Sequence, residues 1–200
     1  NHGIVICKMD FETDKIDGLS TVTNSGQNII FLNSQMPNDR IRFSLAHELG
    51  HMVMHMETPP PSVEIAEEQA DSFASQFLMP EDEIKPMLYN LKMTTLAELK
   101  RRWNVSMRSL IRRAKDLNTI SKDTYRYFQM DFSRRKYNKN EPVPLPAEMP
   151  SLVKSTLSLY REELNYSDED LLEVMKINKQ DYENWFIPVR NRVIPFYRIG

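Results

Sequence analysis

Residues 43–55 read FSLAHELGHMVMH, and within them His47, Glu48 and His51 form the pattern H-E-x-x-H. On an α-helix, positions i and i+4 share a face about one turn apart, so His47 and His51 can reach a single metal ion. Glu48 is displaced around the axis and can address a water at that ion without ligating it. Zinc takes four nitrogen, oxygen or sulfur donors in a tetrahedron, and a catalytic site keeps one position for water. Two histidines therefore leave one protein ligand to be found. His55 continues the series, but the rotation of about 100° per residue carries it away from the direction His47 and His51 share. A supporting role behind the ligands is the preferred reading for His55, ahead of a third ligand.

Working outward, Asn38-Asp39 opens the helix, with either residue a suitable cap. Phe43, Leu45, Ala46, Leu49, Met52, Val53 and Met56 wrap most of its circumference, which predicts a buried helix. Buried imidazoles and a buried carboxylate must be satisfied, by a metal or by backbone carbonyls. Thr58-Pro59-Pro60-Pro61 ends the helix, and a second is expected from Val63 to Met79, limited by Pro80. It carries Glu67-Glu68-Gln69-Ala70-Asp71. Glu67 and Asp71 share a face, so one carboxylate can complete the ligand set while the other accepts the outward N–H of a ligating imidazole. The plain alternative is a solvated acidic face. Against it stands Ala70, a small residue where close helix packing needs one, in an apolar stripe with Phe73, Ala74, Phe77 and Leu78.

Upstream, Gly3–Met9, Leu19–Thr23 and Gln27–Leu32 read as strands of a small, largely antiparallel sheet, with Thr23-Asn24-Ser25-Gly26 as a turn. Cys7 in the first of them is read as a core thiol rather than a cap on the zinc. A single cysteine cannot close an internal disulfide, which suits a reducing compartment. No apolar run approaches the roughly 18 residues that cross a bilayer, and no secretory pattern opens the chain. A cytoplasmic protein is expected. The start at Asn1-His2-Gly3, without methionine and almost directly in a strand, reads as the beginning of a piece of a longer protein, with a domain upstream.

The net charge of −2 hides a strong asymmetry. Residues 1–99 hold six Lys/Arg against fifteen Asp/Glu, residues 100–139 thirteen against three, and residues 140–200 seven against ten. In the basic stretch, Leu96–Trp103 and Met107–Leu117 read as two helices about a tight turn, with Ser106 capping the second. Arg108, Arg112 and Arg113 fall at spacings that share an exposed face, suited to phosphate or an acidic partner, so weak DNA contact is an expectation. Asn140 to Pro146 (NEPVPLP) is a proline-rich linker. Beyond it come an amphipathic helix over Leu152–Leu164 and an acidic helical pair beginning at Ser167, better suited to protein than to DNA. Val189–Ile199 reads as a terminal strand or arm.

Together, RFSLAHELGHMVMH and EEQADSFASQFLMP closely resemble the paired motifs of the ImmA/IrrE family of metallopeptidases. The E-x-x-x-D after H-E-x-x-H is the gluzincin-like arrangement. The resemblance extends back to Ile29–Asn33 and forward through LAELKRRWNVSMRSLIRRAKDLNTIS at 96–121, over roughly residues 3–142. It implies an α+β fold: a small antiparallel N-terminal sheet packed on a mainly helical zincin-like core, followed by a helical C-terminal module. The expected domains are a peptidase at 1–139, including helix-turn-helix-like helices at 95–136, a linker at 140–150 and the module at 151–200. It further implies His47, His51 and Glu67 as metal ligands and Glu48 as the catalytic carboxylate, with Glu68 the neighbour to test should Glu67 fail. Asp71 and His55 are left as supports behind the ligands. The metal would be Zn2+, with Mn2+ also compatible with such donors.

The implied activity is intracellular endoproteolysis of a helix-turn-helix repressor, releasing mobile-element, phage or stress genes. A substrate strand is expected to join the sheet edge beside Ile29–Leu32. His55, Tyr89, Tyr125 and Tyr127 are the candidates for oxyanion support. The rival expectation is a non-catalytic regulatory protein that holds a repressor or DNA on a zinc-stabilised scaffold; such a scaffold has no use for a carboxylate at Glu48.

Overall fold

The computed structural model describes residues 3–13, 15–24, 26–137, 140–148 and 150–186. The stretch 189–199, read as a terminal strand or arm, lies outside them. The chain divides into two compact units, 1–149 and 150–200. Among the described residues no helix is long and apolar enough to cross a membrane.

In the first unit the β-branched runs form β1 (Ile4–Met9), β2 (Gly18–Val22) and β3 (Asn28–Asn33), in the spatial order β1-β3-β2. β2 pairs antiparallel with β3, Ser20 opposite Ile30, while β1 pairs parallel with β3, Ile6 opposite Ile30. The sheet is therefore mixed, where a largely antiparallel one was expected. The cause lies in Asn33, 1% exposed at the end of β3. Its amide donates to the carbonyls of Thr13 (2.7 Å) and Ile16 (3.0 Å), and its Oδ1 accepts from the Gln35 N–H. That side chain satisfies the backbone of the segment leaving β1, which lets it cross to the far side of β3 before β2 begins. β3 ends up central, with Ile30 and Leu32 almost fully buried.

The sheet packs on α1 (Asn38–His55) through Ile30, Leu32, Met36, Ile41 and Met52. Neither Asn38 nor Asp39 caps α1: the cap position is Pro37, without a side-chain bond. Asn38 instead donates to the Leu145 carbonyl at 3.1 Å, and Asp39 pairs with Lys100. Burial of α1 is also less complete than its apolar pattern suggested, because Val53 and Met56 emerge into solvent in its last turn. α2 (Val63–Leu78) is capped by the Ser62 hydroxyl and crosses α1 along Ala66, Ala70 and Ala74. Phe77 was expected in that stripe but is 59% exposed. The crossing is tight. A Cβ added to Gly50 of α1 would lie 3.3 Å from Ala70 Cα and 3.0 Å from Phe73 Cδ1.

Then come α3 (Glu81–Ile84), a 3-10 turn at Lys85–Met87, α4 (Met93–Trp103), α5 (Met107–Asp116) and α6 (Lys122–Arg134). They enclose a second core of Met79, Ile84, Leu88, Leu96, Val105, Leu110, Ile111, Phe128 and Phe132. Asn104 turns the chain in the left-handed region (φ 53°), and the Ser106 hydroxyl caps α5 by accepting from the Ser109 N–H at 3.0 Å. The expected basic face on α5 forms only in part: Arg108 and Arg112 are exposed, but Arg113 is not. Arg113 is buried, its Nε donating to the Met79 carbonyl at 3.1 Å and its other arm to Gln76, because its long apolar stem lets it cross the core to reach those acceptors. Burial holds its guanidinium below the ordinary arginine range. Arg112 pairs along the helix with Asp116.

The proline-rich stretch at 140–148 is laid against this unit. Glu141 Oε2 accepts from Lys100 Nζ (3.0 Å) and from the Met107 N–H (2.7 Å), and Oε1 accepts from the Arg108 N–H (3.0 Å). Leu145 is buried, and Glu148 pairs with Arg42 of α1.

The second unit contains α7 (Leu152–Glu162), α8 (Asp168–Met175) and α9 (Lys179–Phe186) around Leu157, Leu171 and Tyr182. Ser167 and Asp170 form the capping box that begins α8. Arg161 pairs with Asp168, and the Tyr182 hydroxyl donates to the same carboxylate at 3.0 Å.

Candidate metal centre

The tight crossing of α1 and α2 brings three expected ligands to one point. His47 Nε2 and His51 Nε2 are 3.0 Å apart; Glu67 Oε2 is 3.3 Å from the first and Glu67 Oε1 3.4 Å from the second. Donors bound to zinc at about 2.0–2.1 Å in a tetrahedron stand about 3.3–3.4 Å from one another, so the cluster has the dimensions such an ion requires. Glu68 is not part of this cluster.

The hydrogen bonds behind the rings favour the same conclusion. His47 Nδ1 lies 2.9 Å from Asp71 Oδ1, so that nitrogen carries the proton and Nε2 turns a lone pair inward. For His47, burial acts most strongly and pulls its pKa down, but the hydrogen bond and charge of Asp71, with Glu67 and Glu48, outweigh it and leave the imidazole raised. For His51, burial and the neighbouring His47 prevail and the pKa is lowered. The inward-facing nitrogens of two imidazoles and a carboxylate meet at one point, a donor set that suits a cation. His55 stands behind His51, its Nδ1 3.0 Å from His51 Nδ1, and its Nε2 faces Gln69 Oε1 at 2.9 Å.

Glu48 is buried beside the cluster and is not one of its three members. Its Oε2 accepts from the Ser20 hydroxyl at 2.6 Å. β2 comes this close because Gly18 has no side chain: a Cβ there would lie 2.9 Å from Glu48 Cγ. The residues from Lys15 to Ser20 form one wall of a cleft of about 660 Å³; His47, Glu48, His51, Glu67 and Asp71 line the other. Of the oxyanion candidates, Tyr89 and Tyr127 are exposed and none of the three tyrosines lines this cleft. Cys7 sits on β1, at the opposite edge of the sheet, where burial pushes its thiol up.

A substrate strand was expected at the sheet edge beside Ile29–Leu32; β3 itself is paired on both sides. The open edge beside the cleft belongs to β2. Ser20, Gly18 and Gln69 went unnoticed in the sequence; only the exception of a glycine at the start of a strand marked the region.

A small mixed sheet, a helix carrying H-E-x-x-H and a second helix presenting a glutamate together define a metallopeptidase fold. The family model described as Peptidase_M78, the IrrE N-terminal-like domain, matches residues 1–115, and the chain belongs to that family. Membership implies a metal and a metallopeptidase-like fold. No curated protein matches the chain.

Proposed function

We propose that the chain is a zinc-dependent endopeptidase in which His47, His51 and Glu67 hold the metal and Glu48 moves the protons. The observation that carries this reading is the convergence of two imidazoles and one carboxylate within 3.4 Å, with a buried, non-ligating carboxylate alongside. When bound, the metal supplies Lewis acidity, polarising a carbonyl and making a water acidic enough to react near neutral pH. Glu48 spends one oxygen on Ser20 and keeps Oε1 to take a proton from water and return it to the leaving amine. Asp71 and His55 orient the two imidazoles from behind. The free edge of β2 can pair with an extended substrate and lay its backbone across the cleft. Manganese also suits this donor set.

The substrate we propose is a helix-turn-helix repressor in the cytoplasm, on the strength of the resemblance to ImmA/IrrE proteins. A scaffold that only held a repressor or DNA would gain nothing from burying Glu48 beside the ligand cluster. Mixing the zinc-loaded protein with a co-encoded repressor tests the two readings. Wild-type protein should produce a shortened repressor. Glu48→Gln should retain the metal and lose at least about 100-fold in rate. Complex formation with no fragment supports the scaffold reading, and undiminished cleavage by Glu48→Gln removes Glu48 from the mechanism.

A further inference from the structure

Behind His51 runs a chain of contacts that ends on one exposed side chain. His51 Nδ1 is 3.0 Å from His55 Nδ1, and His55 Nε2 is 2.9 Å from Gln69 Oε1. Each neutral imidazole has one N–H and one lone pair, so the three groups cannot choose their protons independently. An amide oxygen on His55 Nε2 demands a proton there, which leaves a lone pair on His55 Nδ1. That lone pair in turn demands a proton on His51 Nδ1, and His51 Nε2 is left with the lone pair that a metal needs.

Turning the Gln69 amide over reverses every step. Its NH2 would donate to His55 Nε2, His55 Nδ1 would carry the proton, and His51 Nε2–H would point at His47 Nε2, 3.0 Å away. In that state His51 donates a hydrogen bond to His47 and cannot ligate. One amide rotation thus separates a metal-competent arrangement from a closed, metal-free one.

We infer that Gln69 is a positioning residue for the metal centre: acting through His55, its side-chain oxygen selects the tautomer of His51 that binds metal. The inference rests on the proposed metal site and adds a residue that is neither adjacent to a histidine in sequence nor one of the three clustered donors. Asp71 does the corresponding work for His47 directly, as a carboxylate that can only accept. His51 is instead served by a neutral amide that can both accept and donate.

The test is zinc affinity, measured by competition with a chromophoric chelator, in Gln69 variants made in wild-type and His55→Ala backgrounds. Gln69→Glu, which can only accept, should bind zinc at least as tightly as wild type. Gln69→Lys, which can only donate, should bind about 10–100-fold more weakly, the usual effect of disturbing a ligand's support. In the His55→Ala background the difference between the two should shrink to about twofold, since a coupled pair loses its coupling when the link is removed. A difference of the same size in both backgrounds would mean simple charge and overturn the relay, as would equal affinities of Gln69→Glu and Gln69→Lys. Gln69 is exposed, so apo stability is expected to stay constant across the series, and a circular dichroism melt checks this. If wild type binds no zinc, or His47→Ala binds it equally well, the metal site itself fails and the relay falls with it. Zinc binding that needs His47 but ignores Gln69 overturns the relay alone.

Discussion

The Ser20 hydroxyl on the edge strand donates to Glu48 Oε2 at 2.6 Å, tying the open edge of the sheet to the carboxylate of the motif helix. Removing that donor leaves Glu48 free to turn within the cleft. Ser20→Ala is expected to lower kcat by about 3–30-fold, a fraction of what general-base catalysis contributes, with KM little changed. Ser20→Thr keeps the hydroxyl and should restore most of the rate. Gly18→Ala should cost at least as much, because its Cβ would meet Glu48 Cγ. Steady-state kinetics on a cleaved repressor checks all three; a Ser20→Ala enzyme with wild-type kcat removes the strand from the mechanism.

A second prediction concerns a buried ion cluster remote from the ligands. Lys100 is 1% exposed and held by Asp39 and Glu141, while Glu141 also accepts the first two N–H groups of α5. Glu141→Ala leaves the ammonium with one partner and takes the acceptor from the first two N–H groups of α5, whose Ser106 cap remains. Breaking a buried pair this way costs about 3–5 kcal/mol. A melting temperature lower by roughly 10 °C follows for a unit of this size. Glu148→Ala removes only the half-exposed pair with Arg42 and should cost no more than about 1 kcal/mol. Equal stability of the two variants in urea melts would show that the 140–148 segment is merely draped on the unit.

The third tests the helix crossing. Gly50 meets Ala70 where no Cβ fits without movement, and this closeness lets Glu67 of α2 reach the histidines of α1. Gly50→Leu should cost about 1–3 kcal/mol as an overpacked contact. By prising the helices apart it should also weaken zinc binding by at least about tenfold. Isothermal titration of zinc into the variant checks this, and unchanged affinity would show that Glu67 reaches the ion without the tight crossing.

These cases show what local spacing can and cannot reveal. His47 and His51 could be placed on one face from their spacing because the helical period survives in any sequence, whereas spacing left Glu67 and Asp71 as alternatives and the resemblance pointed to Glu67, which the fold brings to the two histidines. The Ser106 and Ser167 caps, whose partners lie three residues away, were legible too. Ser20 reaches Glu48 across 28 residues and Glu141 reaches Lys100 across 41, separations at which the sequence holds no periodic signal. The parallel pairing of β1 escaped notice because alternation of side chains is the same in either direction. Arg113 was misjudged since helical spacing gives a direction, not the depth to which a long side chain can be buried.

The central claim is that His47, His51 and Glu67 hold one metal ion, and metal content measured with affinity addresses it most directly. Purified protein dialysed against zinc should carry one ion per chain by mass spectrometry of the metal. Zinc at about 100 times its dissociation constant should stabilise the fold by about 2.7 kcal/mol. His47→Ala and Glu67→Ala should each lose the ion, while Glu48→Gln and Glu68→Gln should keep it. A chain that binds no metal, or one whose stoichiometry survives both His47→Ala and Glu67→Ala, would contradict the account.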